Sequence, residues 1–526
     1  MSGTHSTHSV FAFVQARSGS TRLPRKVLKT LPEKSNLTIL DHIYLRLKQV
    51  LPEDRIVFLI PDNDTELKKF LTQRQFLFFE GSENDVRERY ILASEKFGAK
   101  EIIRLTGDNP FLDVSYLELL CEALNDSLAD IASFSNIPIG MGGEIFTNHA
   151  LCESPSVNLQ DRHREHVSLH IKEDSQKFQF IKLQSYLSAE EILISKKIRL
   201  TIDEDKDFEL AEKVYLELCK DNFFFGVKEV ISLYKEKPEI FTINDSVEQI
   251  SFSVNISSKN SKQKIQIIYA PLNTHGTGHF ERSKILHVKL SALGYNVSLS
   301  SKFQINENFD LAIIDYRDVI LPENFYSKKI LLIDNFGPDR DQFYHFDVLP
   351  HPKINFQNSL QNILYPSIID YYKVQNTETK TILTYAGGRN RDESIRLDKF
   401  LFETFGSEFR YIRVGGELNS PFPVEVIFRL SRNEYVNLLS ACSCFCTYFG
   451  QSLMESVYLE KKTLIYSISD YHTELGEFFS LNSNSIFLGP LNKLRKISVD
   501  QIHKSNLIIQ NSGYKNLIKK IQDILN

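Results

Sequence analysis

Short apolar runs and longer helical patterns take turns along the first 235 residues. The runs at 10–14, 56–60, 102–105 and 131–134 read as buried strands, and residues 39–50, 85–97 and 208–218 carry apolar positions at helical spacing. This alternation predicts a mostly parallel α/β sheet. Residues 236–264 break the rhythm with Pro238 and a Ser/Asn/Lys-rich run at 257–264, the composition of a linker. A fresh strand at 265–270 restarts the alternation, which continues to a helix beyond Asn511. That second half divides again, one part running through 330–334 and the other starting at 381–385. The expected organisation is a domain at 1–235, a linker at 236–264 and two lobes at 265–375 and 376–526. No short-period repeat is visible, which excludes a solenoid.

Composition narrows the picture. A chain of 526 residues is too long for a single core. Its 42% hydrophobic and 25% charged residues describe an ordinary globular protein. A formal net charge of -5 gives no footprint for a nucleic-acid partner, so any basic site must be local. No apolar run is long enough to span a bilayer, and the opening residues lack the cationic and apolar regions of a signal peptide, so the cytoplasm is the expected location. The six cysteines do not form a disulfide framework. Cys442, Cys444 and Cys446 alternate with a period of two, as on one face of a strand. Their spacing favours buried thiols over metal ligation. Composition leaves self-association open.

The densest candidate chemistry follows the first strand. Arg17, Ser18, Gly19, Ser20, Thr21, Arg22, Pro24 and Lys26 gather cations, hydroxyls and free backbone N–H groups directly behind an apolar run. That arrangement suits a polyphosphate at the carboxyl end of a parallel sheet; the alternative is a solvated basic loop. Nucleotide chemistry also needs carboxylates for a hard divalent cation. Asp108, in Thr106-Gly107-Asp108-Asn109-Pro110, and Asp203, in Leu200-Thr201-Ile202-Asp203, both follow apolar runs expected as strands. The competing reading of each is a turn-forming or helix-capping aspartate.

Five segments in order carry a resemblance: Ala16-Arg17 with Gly19-Ser20-Thr21-Arg22-Leu23-Pro24 and Lys26; Gly81 with Asp85-Val86; Arg104 with Thr106-Gly107-Asp108 and Pro110; Arg164-Glu165-His166-Val167; and Arg199 with Asp203. Residues 10–235 resemble the cytidylyltransferases that include spore-coat polysaccharide biosynthesis protein F, relatives of the CMP-acidic-sugar synthetases. The resemblance implies a Rossmann-like nucleotidyltransferase fold that binds CTP and Mg²⁺. It implies that Arg17, Gly19, Ser20, Arg22 and Lys26 hold the triphosphate, with Arg22 and Lys26 acting in catalysis. Asp108 and Asp203 would hold the metal, and Glu144, Arg164 and His166 would contact the sugar acceptor. Where family members carry a Gly-Lys-Pro-type turn after the cradle, this chain has a longer polar loop at 31–42.

The second half offers its own loops at strand ends. Gly276-Thr277-Gly278-His279 follows the strand at 265–270 and opens a helix, with Gly294 as its C-terminal cap. Placed in the first helical turn, His279 is expected to be a neutral imidazole able to relay a proton, or else a structural histidine. Gly387-Gly388-Arg389 and Gly450-Gln451-Ser452 each lie between a strand and a helical pattern and offer backbone donors to a diphosphate. No strand ends in G-x-G-x-x-G, which speaks against an oxidoreductase.

Gly276-x-Gly278-His279-x-x-Arg282, Leu331-Leu332-Ile333-Asp334-Asn335, Gly387-Gly388 and Gly450-x-Ser452-x-x-Glu455 resemble the UDP-sugar hydrolase of pseudaminic-acid biosynthesis, of glycosyltransferase B-like fold. The resemblance implies that His279 assists water attack, while Gly387, Gly388, Gly450, Ser452 and Glu455 contact the nucleotide of a UDP-sugar. Arg389-Asn390 and Phe449 depart from that pattern. The expectation for the whole chain is a bifunctional enzyme of surface-glycan biosynthesis. The competing readings make the second half a glycosyltransferase or a non-catalytic nucleotide-sugar binder.

Overall fold

The computed structural model describes residues 10–124, 129–156, 159–220, 222–245, 247, 263–272, 277–305, 307–317, 319–337, 340–375, 379–417, 419–428 and 430–526. The chain divides into two compact units, Met1–Lys264 with Lys284–Ser298, and Ile265–Ser283 with Leu299–Asn526. Both are α/β.

In the first unit, β1 (Val10–Gln15), β2 (Ile56–Pro61), β3 (Phe78–Gly81), β4 (Glu101–Thr106), β5 (Ile131–Phe134), β6 (Glu144–Thr147) and β7 (Phe180–Leu183) form one sheet in the order β3-β2-β1-β4-β6-β5-β7. The unbroken apolar runs are explained by burial on both sides. Val10, Ala12 and Val14 enter one core with Ile56, Phe58 and Ile60, while Phe11 and Phe13 enter the other with Val57 and Leu59. The sheet is mostly parallel as expected, except that β6 runs antiparallel to β4 and β5. The chain leaves β1 for β2 on one side and returns to β4 on the other. A crevice therefore opens beyond the carboxyl ends of β1 and β4, where such sheets place ligands.

Two further sheets follow, in which every registered pair is parallel; the second unit holds them except for Lys264 and Asn296–Ser298, which group with the first. One joins β8 (Lys264–Tyr269), β9 (Asn296–Ser300), β10 (Leu311–Asp315), β11 (Ile330–Ile333) and β12 (Tyr344–Phe346) in the order β12-β11-β10-β8-β9. The other joins β13 (Thr381–Gly387), β14 (Arg410–Gly415), β15 (Val424–Ile427), β16 (Cys444–Tyr448), β17 (Lys462–Ser467) and β18 (Ile486–Pro490) in the order β15-β14-β13-β16-β17-β18.

Two local readings change. Cys444 and Cys446 lie on β16 in the core, but Cys442 caps the preceding helix Arg432–Ala441, because its backbone N–H still bonds to Leu438 O. Residues 198–203 are extended without being a sheet strand. They are held by a single bridge, Ile139 to Arg199, and by the Ile202 N–H donating to Asp108 O at 3.0 Å. Gly276 lies outside the described residues.

Candidate active sites

In the first unit three separate segments meet at the crevice. The loop after β1 and the turn after β4 are tied by the Gly107 N–H, which donates to Gln15 O at 2.9 Å. A Cβ on Gly107 would stand 3.0 Å from that of Ala16, so a side chain there would push the two segments apart by a few tenths of an ångström. The 198–203 segment joins through Ile202.

At the junction sits the Lys26 ammonium, only 12% exposed. It donates to Asp108 Oδ2 at 2.8 Å, to Asp203 Oδ1 at 3.0 Å and to Ile202 O at 2.9 Å. Arg22 reaches the same Asp203 oxygen at 2.9 Å, and Thr106 Oγ1 holds the other oxygen of Asp108 at 2.6 Å. The two aspartates, almost a hundred residues apart in sequence, thus share one cation. Behind them, Asp207 accepts the Asp203 N–H at 3.0 Å, Asn244 Nδ2 at 2.8 Å and the Arg199 guanidinium, which fixes the 203 turn.

The rest of the cradle is anchored less directly. Asp64 caps the helix Thr65–Arg74 and also receives the Ser18 backbone N–H at 2.7 Å and its hydroxyl at 2.9 Å. Ser20 turns its hydroxyl to the Leu23 N–H at 3.3 Å. Arg17 and Gly19 are exposed at the rim, and no Cβ contact would crowd Gly19. The polar loop at 31–42 is internally closed: Leu31 N–H donates to Leu37 O at 2.8 Å, and Thr38 caps the next helix reciprocally with Asp41.

Of the three residues expected at the acceptor sugar, Glu144 and His166 share Arg104 and Lys172 as charged neighbours, while Arg164 pairs with Asp85. Glu144 is buried on β6 opposite Arg104, which it meets at 3.0 Å, and it also binds Lys172 and Ser168. Burial raises its pKa, but Lys172 and Arg104 outweigh that and bring it down to about 2. Arg164 is exposed and pairs with Asp85 at 2.8 Å, the carboxylate that caps the helix Val86–Phe97. His166 is half-buried at the end of a short helix, and burial lowers its pKa.

In the second unit, His279 lies in the first turn of the helix Gly278–Ala292, as its sequence position predicts. Its Nδ1 is 2.7 Å from Asp315 Oδ1 at the end of β10. A carboxylate only accepts, so Nδ1 is the nitrogen that donates in this pair, and Arg282 Nη2 lies 3.2 Å from the same Nδ1. Arg282 binds Asp315 through Nε at 2.6 Å and reaches Asp334 at 3.2 Å. Burial pushes the Asp315 carboxyl up, but Arg282 and then His279 outweigh it and hold it well below the usual carboxylate range. Asp334 accepts the backbone N–H groups of Val348 at 2.8 Å and Leu349 at 3.1 Å. Burial raises its pKa.

The two glycine loops lie at the ends of neighbouring strands, β13 and β16. Gly387 has φ +57, a backbone conformation that favours glycine, and a Cβ there would stand 2.8 Å from the Tyr448 hydroxyl. Gly388 is exposed with open space around it. Gly450 caps the helix Gln451–Tyr458, and Ser452 is half-buried in its first turn. Glu455 is fully buried against Arg432 at 3.0 Å, and burial raises its pKa.

The sequence patterns single out Arg104 only as part of the motif that ends at Pro110, and do not single out Asp64, Lys172, Asp207 or Asp315. Asp64, Arg104, Lys172 and Asp315 act through partners distant in sequence, whereas Asp207 holds Asp203 and Arg199 close by as well as the remote Asn244. Asp64 and Asp315 carried the only local signs, an aspartate ahead of a helix and one closing an apolar run.

Among the described residues no helix is long and apolar enough to cross a membrane, and no group of three or more His, Cys, Asp and Glu side chains could hold a metal ion. Comparison with known proteins locates the first unit. A family model described as cytidylyltransferase matches residues 11–237. An uncharacterized protein of Methanocaldococcus jannaschii is 34% identical over 248 residues, 46% of this chain and 97% of that one. The spore coat polysaccharide biosynthesis protein SpsF of Bacillus subtilis is 31% identical over 242 residues, 45% of this chain and 98% of that one. A solved cytidylyltransferase from Leptospira borgpetersenii is 27% identical, covering 46% of this chain and 99% of its own, with a TM-score of 0.40. Through residues 11–237 the chain belongs to the cytidylyltransferase family.

Proposed function

We propose that the chain is a bifunctional cytoplasmic enzyme of nucleotide-sugar metabolism for surface glycans. Its first unit transfers CMP from CTP to an acidic, nonulosonic-type sugar, and its second unit hydrolyses a UDP-sugar. The observation that carries the first activity is the meeting of Lys26 with Asp108 and Asp203. A sugar oxygen attacks the α-phosphorus and pyrophosphate leaves, so the work of the site is positioning and charge neutralisation. Arg17, Arg22 and Lys26 would grip the triphosphate, with the Gly19–Ser20 backbone beside them. The two carboxylates fit Mg²⁺, which takes one or two protein carboxylates and completes its shell with phosphate and water; bound there, it would neutralise phosphate charge. The polysaccharide-biosynthesis name of the Bacillus subtilis relative supports a sugar as the acceptor.

For the second unit, the support is the His279–Asp315 pair at a strand end. Asp315 sets the ring tautomer, and Nε2 can take a proton from water as it attacks. Incubation with CTP, Mg²⁺ and a panel of acidic sugars should release pyrophosphate and yield a CMP-sugar. Silence across the panel would sink the first activity. Loss of UDP-sugar in the absence of an acceptor tests the second, since a glycosyltransferase would need one.

A further inference from the structure

The family match ends at residue 237, but the first unit does not. Beyond that point the short helix Pro238–Thr242 packs on the same core. Phe241 is buried there with its ring 5.3 Å from that of Tyr234, and Ile240 and Ile243 lie against the same cluster. Asn244 follows, only 6% exposed. Its Nδ2 donates to Asp207 Oδ1 at 2.8 Å and to Arg199 O at 3.2 Å, which uses both hydrogens of the amide. A stretch with the composition of a linker thus delivers a side chain to the layer directly behind the candidate metal ligands.

Asp207 is the centre of that layer. Its Oδ1 accepts from Asn244 and the Arg199 guanidinium, and its Oδ2 from the backbone N–H groups of Asp203 at 3.0 Å and Glu204 at 3.1 Å. Those two N–H bonds fix the turn from which the Asp203 carboxylate reaches Lys26 and Arg22. Arg199 is divided: one guanidinium nitrogen serves Asp207, and another lies 3.8 Å from Asp203 Oδ2. With Asn244 in place, Arg199 answers only part of the charge on Asp207, and its own carbonyl is held. Without that amide, Asp207 would rely on Arg199 alone, and the guanidinium, the Arg199 backbone and the 203 turn would shift together. An amide suits this post because it donates twice yet brings no positive charge to a place that must receive a cation.

We propose that Asn244, outside the segment matched by the cytidylyltransferase family, is a positioning residue of the first active site. By holding Asp207 and the Arg199 carbonyl, it sets where the Asp203 carboxylate meets a divalent cation. The assignment rests on the reading of Asp203 as a metal ligand. It also extends the catalytic unit of this chain past the family match. A piece ending at residue 237 would keep Lys26, Asp108 and Asp203 but lack the side chain that steadies the last of them.

Coupling between metal and nucleotide tests this without turnover. In the full-length protein, equilibrium dialysis gives the affinity for CTP in EDTA and again in Mg²⁺, and the ratio of the two measures what the metal adds. The parent should gain about tenfold or more, and Asp203→Ala should bring the ratio close to one. Asn244→Leu keeps the branching of the side chain and removes both donors. It should lower the ratio about fivefold or more while affinity in EDTA stays within about twofold of the parent. In turnover the same variant should need correspondingly more Mg²⁺ for its half-maximal rate and approach the parent rate at saturation. A side chain that only braces the fold would weaken CTP binding equally in both conditions, or lower the urea midpoint and leave the ratio alone; either result overturns the proposal. If the leucine variant does not fold, Asn244→Ser, which keeps one donor, replaces it: the ratio should fall about twofold or more, and a parent ratio overturns the proposal. Should Asp203→Ala keep the parent ratio, the reading of Asp203 as a metal ligand fails and the proposal with it. A lowered ratio in Asp203→Ala beside a parent ratio in Asn244→Leu removes the proposal alone.

Discussion

The two units treat cations at strand ends differently. In the first, Lys26 and Arg22 are matched by the carboxylates of their own site, with Lys26 shared between Asp108 and Asp203. In the second, Arg282 is matched by Asp315 and Asp334, while Arg317 and Arg389 each keep a buried Nε without a hydrogen-bond partner, and Arg389 pairs with Glu393 only at 3.8 Å. A cation already paired must exchange partners when a phosphate arrives. A cation held only by a loose pair, such as Arg389 with Glu393 at 3.8 Å, gives up less when an anion arrives. The first arrangement suits a reaction in which charge is redistributed among triphosphate, metal and protein.

The sharpest break of this comparison is at Lys26. Lys26→Ala should lower CTP-dependent pyrophosphate release by about 10²–10³-fold or more, as should Asp108→Ala: the first removes a cation from the reacting phosphates and the second a carboxylate that would hold the metal. UDP-sugar hydrolysis should persist in both, and normal CTP turnover in either would refute the assignment. The reciprocal variant, His279→Ala, should cut UDP-sugar hydrolysis by about 10²–10⁴-fold, the usual contribution of a general base, and spare the CTP reaction.

Glu144→Gln sharpens the contrast between matched and unmatched charge. It leaves Arg104 and Lys172 facing a neutral amide, and urea unfolding at pH 7 should show a loss of about 3–5 kcal/mol. The ordinary glutamate value is 4.5 and the folded value about 2. The stabilisation is therefore complete above about pH 4.5 and disappears as pH falls toward 2, so the variant and its parent should converge at low pH. The smallest effect is expected at Arg164. Its pair with Asp85 is exposed, and Arg164→Ala should change stability by less than about 1 kcal/mol. If Arg164 touches the acceptor, KM for the sugar rises while KM for CTP does not; no change in either removes it from the acceptor site.

Much of the fold was legible because the strands are continuous apolar runs. Residues 131–134 match their strand, and 10–14 and 56–60 fall one residue short of β1 and β2. Such runs announce themselves without knowledge of neighbours. The antiparallel β6 was not legible, since its four residues carry the polar Glu144, whose burial is compensated only by side chains from β4 and a later helix. The extended 198–203 segment resembled a strand because its apolar residues are buried, yet it makes one bridge instead of a ladder. At the first site the cradle and both aspartates were readable as types, but the single ammonium joining them follows from strand order. At the second, His279 was readable and Asp315 was not singled out, because their partnership spans 36 residues.

The position of Lys26 has a practical consequence for handling the protein. A structural metal centre loses its fold when its ion is stripped, because the ligand charges are then left facing one another. Here an ammonium from the chain itself already separates Asp108 from Asp203. Purification in EDTA should leave the melting temperature of the first unit where it was, and activity should return at once when divalent ions are restored.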